Sequence, residues 1–141
     1  MLRPLLALAL ALPTTARADV FDRAAGLWGI TDYEPLSCAA NPHEVSFSAD
    51  RRRAAFVWSE PMINYEGEWD TEGLYDVLGH GEDFIVLALD GESRRTRDGR
   101  PVVWVLRLID GGSRYCWGRT DWPAETCIDR YARCPSPVPV S

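Results

Sequence analysis

Hydrophobic positions in this chain fall into short runs separated by Gly, Pro, Asp and Asn. Two runs dominate. Residues 83–89 (Asp-Phe-Ile-Val-Leu-Ala-Leu) and 102–109 (Val-Val-Trp-Val-Leu-Arg-Leu-Ile) are almost continuously aliphatic or aromatic, with turn residues at their ends, and predict buried strands. A Gly111-Gly112 turn then leads into Arg114-Tyr115-Cys116-Trp117-Gly118, the third strand of a meander. Upstream, residues 26–33 predict a first strand ended by Pro35, after one helical turn at 19–25. Residues 44–48 alternate, with Val45 and Phe47 inward, turn at 49–52, and return through 54–58 until Pro61 stops the strand. Residues 62–65 and 73–78 predict two more strands, while 38–42 and His43 read as loop. Asp121, Pro123 and Glu125 carry the cap, early proline and first-turn acid of a helix over 121–133. About eight short strands followed by one helix predict an all-β fold: an antiparallel barrel or sandwich with the C-terminal helix packed outside, not βαβ units.

Composition narrows the setting. Met1-Leu2-Arg3-Pro4, an apolar run to Leu12, and Ala16-Arg17-Ala18 describe an export signal cut after Ala18. The run is shorter than the roughly 20 residues that a spanning helix needs, and no later segment reaches that length. Residues 19–134 form the expected single β-barrel domain and 135–141, rich in Pro, a flexible tail. A periplasmic or secreted location follows. Every base is Arg, and without Arg3 and Arg17 the remaining 13 face 21 acids, a formal charge of −8. An acidic domain of this kind points away from nucleic acid and from anionic membrane surfaces.

Cys38, Cys116, Cys127 and Cys134 lack the close pairs of a zinc site and predict two disulfides. With Gly111-Gly112 as the hairpin turn, Leu108 faces Tyr115, Leu106 faces Trp117 and Arg107 faces Cys116. One face of that pair, Trp104, Leu106, Leu108, Tyr115 and Trp117, is core. The other, with Val103, Val105, Ile109 and Cys116, needs cover, and the 121–133 helix is the element available. Cys116–Cys127 with Cys38–Cys134 is therefore the preferred scheme. Cys127–Cys134 is disfavoured on a persisting helix, where seven residues rise about 10.5 Å. In the loop from Asp90 to Arg100, Asp90-Gly91 and Asp98-Gly99 both offer a turn and imply different registers.

Gly26-Leu27-Trp28 at the head of a first strand, in a small exported disulfide-bonded meander, resembles the lipocalin-type (calycin) barrels, whose first strand carries Gly-x-Trp. The resemblance implies that Trp28 closes the base of an eight-stranded barrel and that an Arg from a late strand packs over it. Arg119 is the better placed candidate and Arg107 the other. Thr31-Asp32-Tyr33 matches a lipocalin tripeptide but directly follows the first Trp, where it cannot do the same job. The chain is shorter than typical members. Small bacterial inhibitors of metalloproteases and lysozymes share the general look.

No Gly-x-Ser-x-Gly elbow or free thiol offers a nucleophile; no catalytic residue is assigned, the protein is expected not to be an enzyme, and no cofactor is expected. His80 lies between glycines beside Glu82 and Asp83, a conceivable metal or proton-transfer site, with an exposed turn imidazole as the plainer reading. Trp28, Trp58, Trp104 and Trp117 are candidates for lining a ligand pocket, or simply core. The 60–83 stretch has eight acids and no Arg. Within it Glu66, Glu68, Asp70 and Glu72 recur at every second position, roughly 6 to 7 Å apart on a strand, and repel. Pairing with Arg51 to Arg53 or Arg94 to Arg97, simple solvation of the exposed carboxylates, calcium (though not as an EF-hand), or a basic protein partner would relieve that. Two functions fit: an exported non-catalytic lipocalin-like barrel, with or without a small apolar ligand, and an acidic inhibitor or interaction module for a basic protein such as a hydrolase.

Overall fold

A computed structural model describes residues 11–13 and 18–135. Most of the leader, and the tail from 136 on, lie outside the described residues. A short helix α1 (Val20–Ala24) precedes eight strands: β1 (Gly26–Ile30), β2 (His43–Phe47), β3 (Arg53–Ile63), β4 (Trp69–His80), β5 (Phe84–Leu89), β6 (Trp104–Ile109), β7 (Arg114–Arg119) and β8 (Ile128–Arg133). Each pairs antiparallel with the next, and β8 pairs back onto β1, so the sheet closes into a barrel.

The β6–β7 register matches the sequence expectation: Leu106 opposite Trp117, Arg107 opposite Cys116, Leu108 opposite Tyr115. Leu106 and Tyr115 are fully buried inside the barrel with Trp28, Val45, Phe56, Ile85 and Leu87. Period-two alternation thus turns every second residue of each strand inward, and residues opposite one another share a face.

The 121–133 helix does not form. Residues 128–133 are β8, paired with β7 on one side and β1 on the other, Trp28 opposite Arg133 and Ile30 opposite Tyr131. A helix there would leave β1 and β7 with unpaired edges, a loss that outweighs a local capping signal. Residues 120–127 cover the outer face of β6 and β7 as an irregular segment instead. Gly118 lets it approach: a Cβ there would lie 3.2 Å from the Thr126 carbonyl oxygen. Cys127 reaches Cys116 and Cys38 reaches Cys134, with Cα–Cα distances of 5.4 and 5.5 Å, the preferred pairing. Two disulfides fit an oxidising compartment, and no described helix is long and apolar enough to cross a membrane.

Other boundaries shift for identifiable reasons. Pro61 does not stop β3; the register slips between Val57 and Met62, and the proline sits in that irregularity, where a missing N–H costs no ladder bond. Met62 and Ile63 are therefore the end of β3, residues 64 and 65 begin the turn to β4, and the 73–78 strand extends to Trp69 and His80. Both offered turns in the 90–100 loop are used: Gly91 and Gly99 adopt positive φ, and the second turn closes a small bridge between Arg95 and Pro101.

One end of the barrel is plugged. Asp19 caps α1 through the Asp22 amide at 2.8 Å, and Val20, Phe21 and Ala24 are buried. The helix ends against Trp28, which is 0 % exposed and whose Nε1 donates to the Ala24 carbonyl at 3.0 Å. Arg133, not Arg119 or Arg107, packs over Trp28, its guanidinium carbon 4.4 Å from the ring centroid. It donates to the carbonyls of Arg23 and Ala25, satisfying helix-end acceptors that a five-residue helix cannot satisfy itself. Arg119 instead pairs with Asp121 and lies over Trp122, and Arg107 sits on the outer side opposite Cys116. Reading β8 as helix hid the correct arginine.

Candidate functional site

The opposite end of the barrel is open. Alternation along β3, β4, β6, β7 and β8 delivers Phe56 and Trp58, Tyr75, Trp104, Trp117, and Tyr131 to a cavity of ≈ 300 Å³. The rings pack against one another: Phe56 on Trp117 at 5.3 Å, Phe56 on Tyr75 at 5.0 Å and Tyr131 stacked on Tyr115 at 4.8 Å between centroids. Ile128 and Asp129, at the start of β8, complete the lining. Burial pushes the phenols of Tyr75, Tyr115 and Tyr131 above the ordinary tyrosine range, and the Asp129 carboxylate adds to the shift at Tyr115 and Tyr131. These phenols stay protonated at any physiological pH.

Below the cavity the core holds a polar side chain. His43 opens β2 rather than sitting in a loop, is 0 % exposed, and shares a 2.5 Å hydrogen bond between Nε2 and the Tyr115 hydroxyl. Among the described residues its Nδ1 has no hydrogen-bond partner. Tyr131 and Trp58 stand edge-on or tilted against it at 4.7 and 5.1 Å. Burial lowers the imidazole pKa from 6.5 to about 3, so the ring is neutral.

A clasp spans the mouth. The Arg94 guanidinium lies 3.6 Å from the Tyr65 ring and 4.5 Å from the Trp104 ring, and grips Glu92 through Nε at 2.6 Å and Nη2 at 3.1 Å. Glu92, its side chain 4 % exposed, also accepts from Trp104 Nε1 at 2.8 Å. Burial would raise its carboxyl, but these hydrogen bonds outweigh that and hold it below its usual value. Tyr65 belongs to the β3–β4 turn, where Asn64 Oδ1 accepts from the Glu66 and Glu68 amides, and its hydroxyl meets Ser93 at 2.8 Å. The turn and the 90–100 loop are thereby tied together over the opening.

Outside the clasp lies a second hollow of ≈ 460 Å³, an acidic vestibule that shares Trp58, Met62, Tyr75 and Arg94 with the cavity and is lined by Glu66, Glu68, Asp70 and Glu72. Among the described residues, internal arginine pairing does not compensate these acids, which leaves them solvated. Arg53 pairs with Asp76 and Asp90, Arg51 with Asp19 and Asp22, and Arg94 with Glu92. Among the described residues, none of the four acids has an arginine within ion-pair distance, and no three metal-ligating groups converge.

Of the tryptophans singled out by sequence, Trp58, Trp104 and Trp117 line the cavity, and Trp28 belongs to the plugged end instead. His80 rests edge-on against Phe21 at 4.9 Å, beside α1 and far along β4 from the mouth. Phe56 and Tyr75 lie on strands that the sequence predicts, without a facing assigned to either. Tyr131 and Asp129 were hidden by the helix reading, and the Arg94–Glu92–Tyr65 clasp has no local sequence signal. Comparison with protein-family models, curated proteins and solved structures gives no match.

Proposed function

We propose that this is an exported, non-catalytic barrel of lipocalin type that holds one small, flat, largely apolar ligand at its open end. The observation that carries the reading is the aromatic cavity of ≈ 300 Å³, at the small end of the range for ligand sites. Its size supports a ligand of one or two rings rather than a long acyl chain. The plug of α1, Trp28 and Arg133 at the other end supports the family resemblance: a Gly-x-Trp strand whose Trp is covered by an Arg from the last strand. The neutral fluorophore N-phenyl-1-naphthylamine tests the function. Its emission should rise on titration into the wild-type protein and not into Ile128→Trp, which fills the cavity rim. No rise in the wild type, or an equal rise in the variant, removes the cavity as a site.

A second reading, docking to a basic protein, is favoured by the β3–β4 ribbon. Its strands are 11 and 12 residues long against 5 or 6 for the others, and it exposes Trp69, 72 % accessible, opposite Ile63. A cationic hydrolase such as lysozyme should then bind at low ionic strength and be released at high, with Trp69→Ser weakening binding at both. Binding that ignores both salt and Trp69 discards this reading.

A further inference from the structure

We infer that the cavity selects a small organic cation, an ammonium or guanidinium group carried on a ring or compact alkyl body. This rests on the ligand-binding reading above and specifies the ligand's charge. Seven of the eleven lining residues are aromatic, the others being Met62, Arg94, Ile128 and Asp129, and π-faces attract a cation desolvated against them. The mouth already holds one such group: the Arg94 guanidinium, sandwiched over Tyr65 and Trp104 at 3.6 and 4.5 Å, shows that these faces accept a planar cation.

Charge bookkeeping points the same way. The Arg94 charge is matched by Glu92 in a bidentate pair. Asp129, on the cavity wall, has no arginine within ion-pair distance among the described residues. With Glu92 counted beside its partner Arg94, this end of the barrel carries the uncompensated charge of Asp129, and its approach passes Glu66, Glu68, Asp70 and Glu72, which have no arginine within ion-pair distance among the described residues. A field of one sign along a cleft concentrates cations and repels carboxylates. Fatty acids and other organic anions are the wrong charge for this site; neutral rings gain the aromatic contact but not the Coulombic part.

Phenyltrimethylammonium, its uncharged carbon isostere tert-butylbenzene, and benzoate separate these terms, with tryptophan fluorescence and isothermal titration on the intact, disulfide-bonded protein as readouts. The cation should bind about tenfold or more tighter than tert-butylbenzene, and benzoate should not bind. Raising ionic strength from about 0.01 to about 1 M shortens the screening length from ~30 to ~3 Å and should weaken only the cation. Asp129→Asn should weaken the cation about tenfold and leave tert-butylbenzene unchanged. Asparagine tolerates the φ of +53° at this position, so the backbone has no reason to move. Equal or tighter binding of tert-butylbenzene, or an Asp129→Asn protein that binds the cation as before, overturns cation selectivity. If N-phenyl-1-naphthylamine still binds in that case, the ligand-binding reading survives alone. If neither it nor any of the three probes binds, both fall.

Discussion

His43 makes a quantitative demand on the pH dependence of stability. The imidazole is fully buried, and its pKa falls from 6.5 unfolded to about 3 folded because burial disfavours the charged ring. The folded value lies below the unfolded one, so the unfolded chain takes up a proton that the native barrel refuses. Stability from this group is complete above pH 6.5 and drains away as pH falls toward 3. At pH 5 the gap is about 1.5 pH units, or about 2 kcal/mol at 1.36 kcal/mol per unit. The full loss, near pH 3, is about 5 kcal/mol, a large share of a typical domain's stability. Carboxylates held low by arginines, such as Asp90 beside Arg53, add their losses at lower pH, leaving pH 7 to 5 as the informative window. Urea unfolding at pH 7.5 and pH 5 measures it, for the wild type and for His43→Gln, which keeps a polar partner near the Tyr115 hydroxyl. The wild type should lose about 2 kcal/mol more than the variant over that interval. The comparison is between pH values within each protein, so a generally weakened variant remains informative. In parallel, the His43 ring resonances of the native protein should show a neutral imidazole at pH 5. Equal pH slopes for the two proteins, or native His43 titrating near 6.5, refute the assignment.

Three further outcomes follow from the packing. Gly29 faces the Cys38 loop so closely that a Cβ would lie 2.8 Å from the Ser37 carbonyl carbon and closer still to the Cys38 amide nitrogen. Gly29→Ala should therefore lower stability by about 1–3 kcal/mol in urea unfolding, whereas Gly99→Asn, at an open turn with φ +82°, should change it by less than about 1. Arg133→Leu strips the helix-end carbonyls of Arg23 and Ala25 of their donor and should cost about 1–3 kcal/mol, against less than about 1 for Arg119→Leu, whose partner Asp121 is near the surface; equal effects would deny the Arg133 plug any special weight in stability. Removing Cys38–Cys134, which spans 96 residues, should cost more than removing Cys116–Cys127, which spans 11: about 4.7 against about 3 kcal/mol if loop entropy dominates, by the same denaturation assay.

Much of the barrel was legible because its strongest signals were local. The β6–β7 register follows from one turn and one alternating pattern, and fixing it fixed which face held Cys116 and hence the disulfide scheme. β8 was not legible. Asp121, Pro123 and Glu125 write a helix start, and Ile128-Asp129-Arg130-Tyr131-Ala132-Arg133 alternates too weakly to contradict it. What decides the segment is non-local: the free edge of β1, about a hundred residues away in sequence, accepts Arg133, Ala132 and Tyr131 as partners. His43 failed for the same reason. Between Pro42 and Glu44 it looks like a polar loop residue, and only its place opposite Trp28 and Trp58 turns it inward.

These two misreadings concern one region, and that bears on the site. Tyr131 and Asp129 from β8, His43 from β2 and Trp58 from β3 meet only because the barrel closes between its first and last strands. The aromatic residues that the sequence did reveal, Trp58, Trp104 and Trp117, supply a wall that any buried meander would have. The residues that it concealed supply the carboxylate, the neutral imidazole and the open rim. Specificity in this chain therefore resides in the closure, where Cys38–Cys134 and the Arg133–Trp28 contact hold β1 against β8. A perturbation there should reach the cavity as well as the stability. Arg133→Leu lies at the plugged end, yet β8 also carries Asp129, so it should loosen cation binding in native protein that still has both disulfides. A variant that loses stability and keeps unchanged affinity for phenyltrimethylammonium would show that the two ends of the barrel are independent.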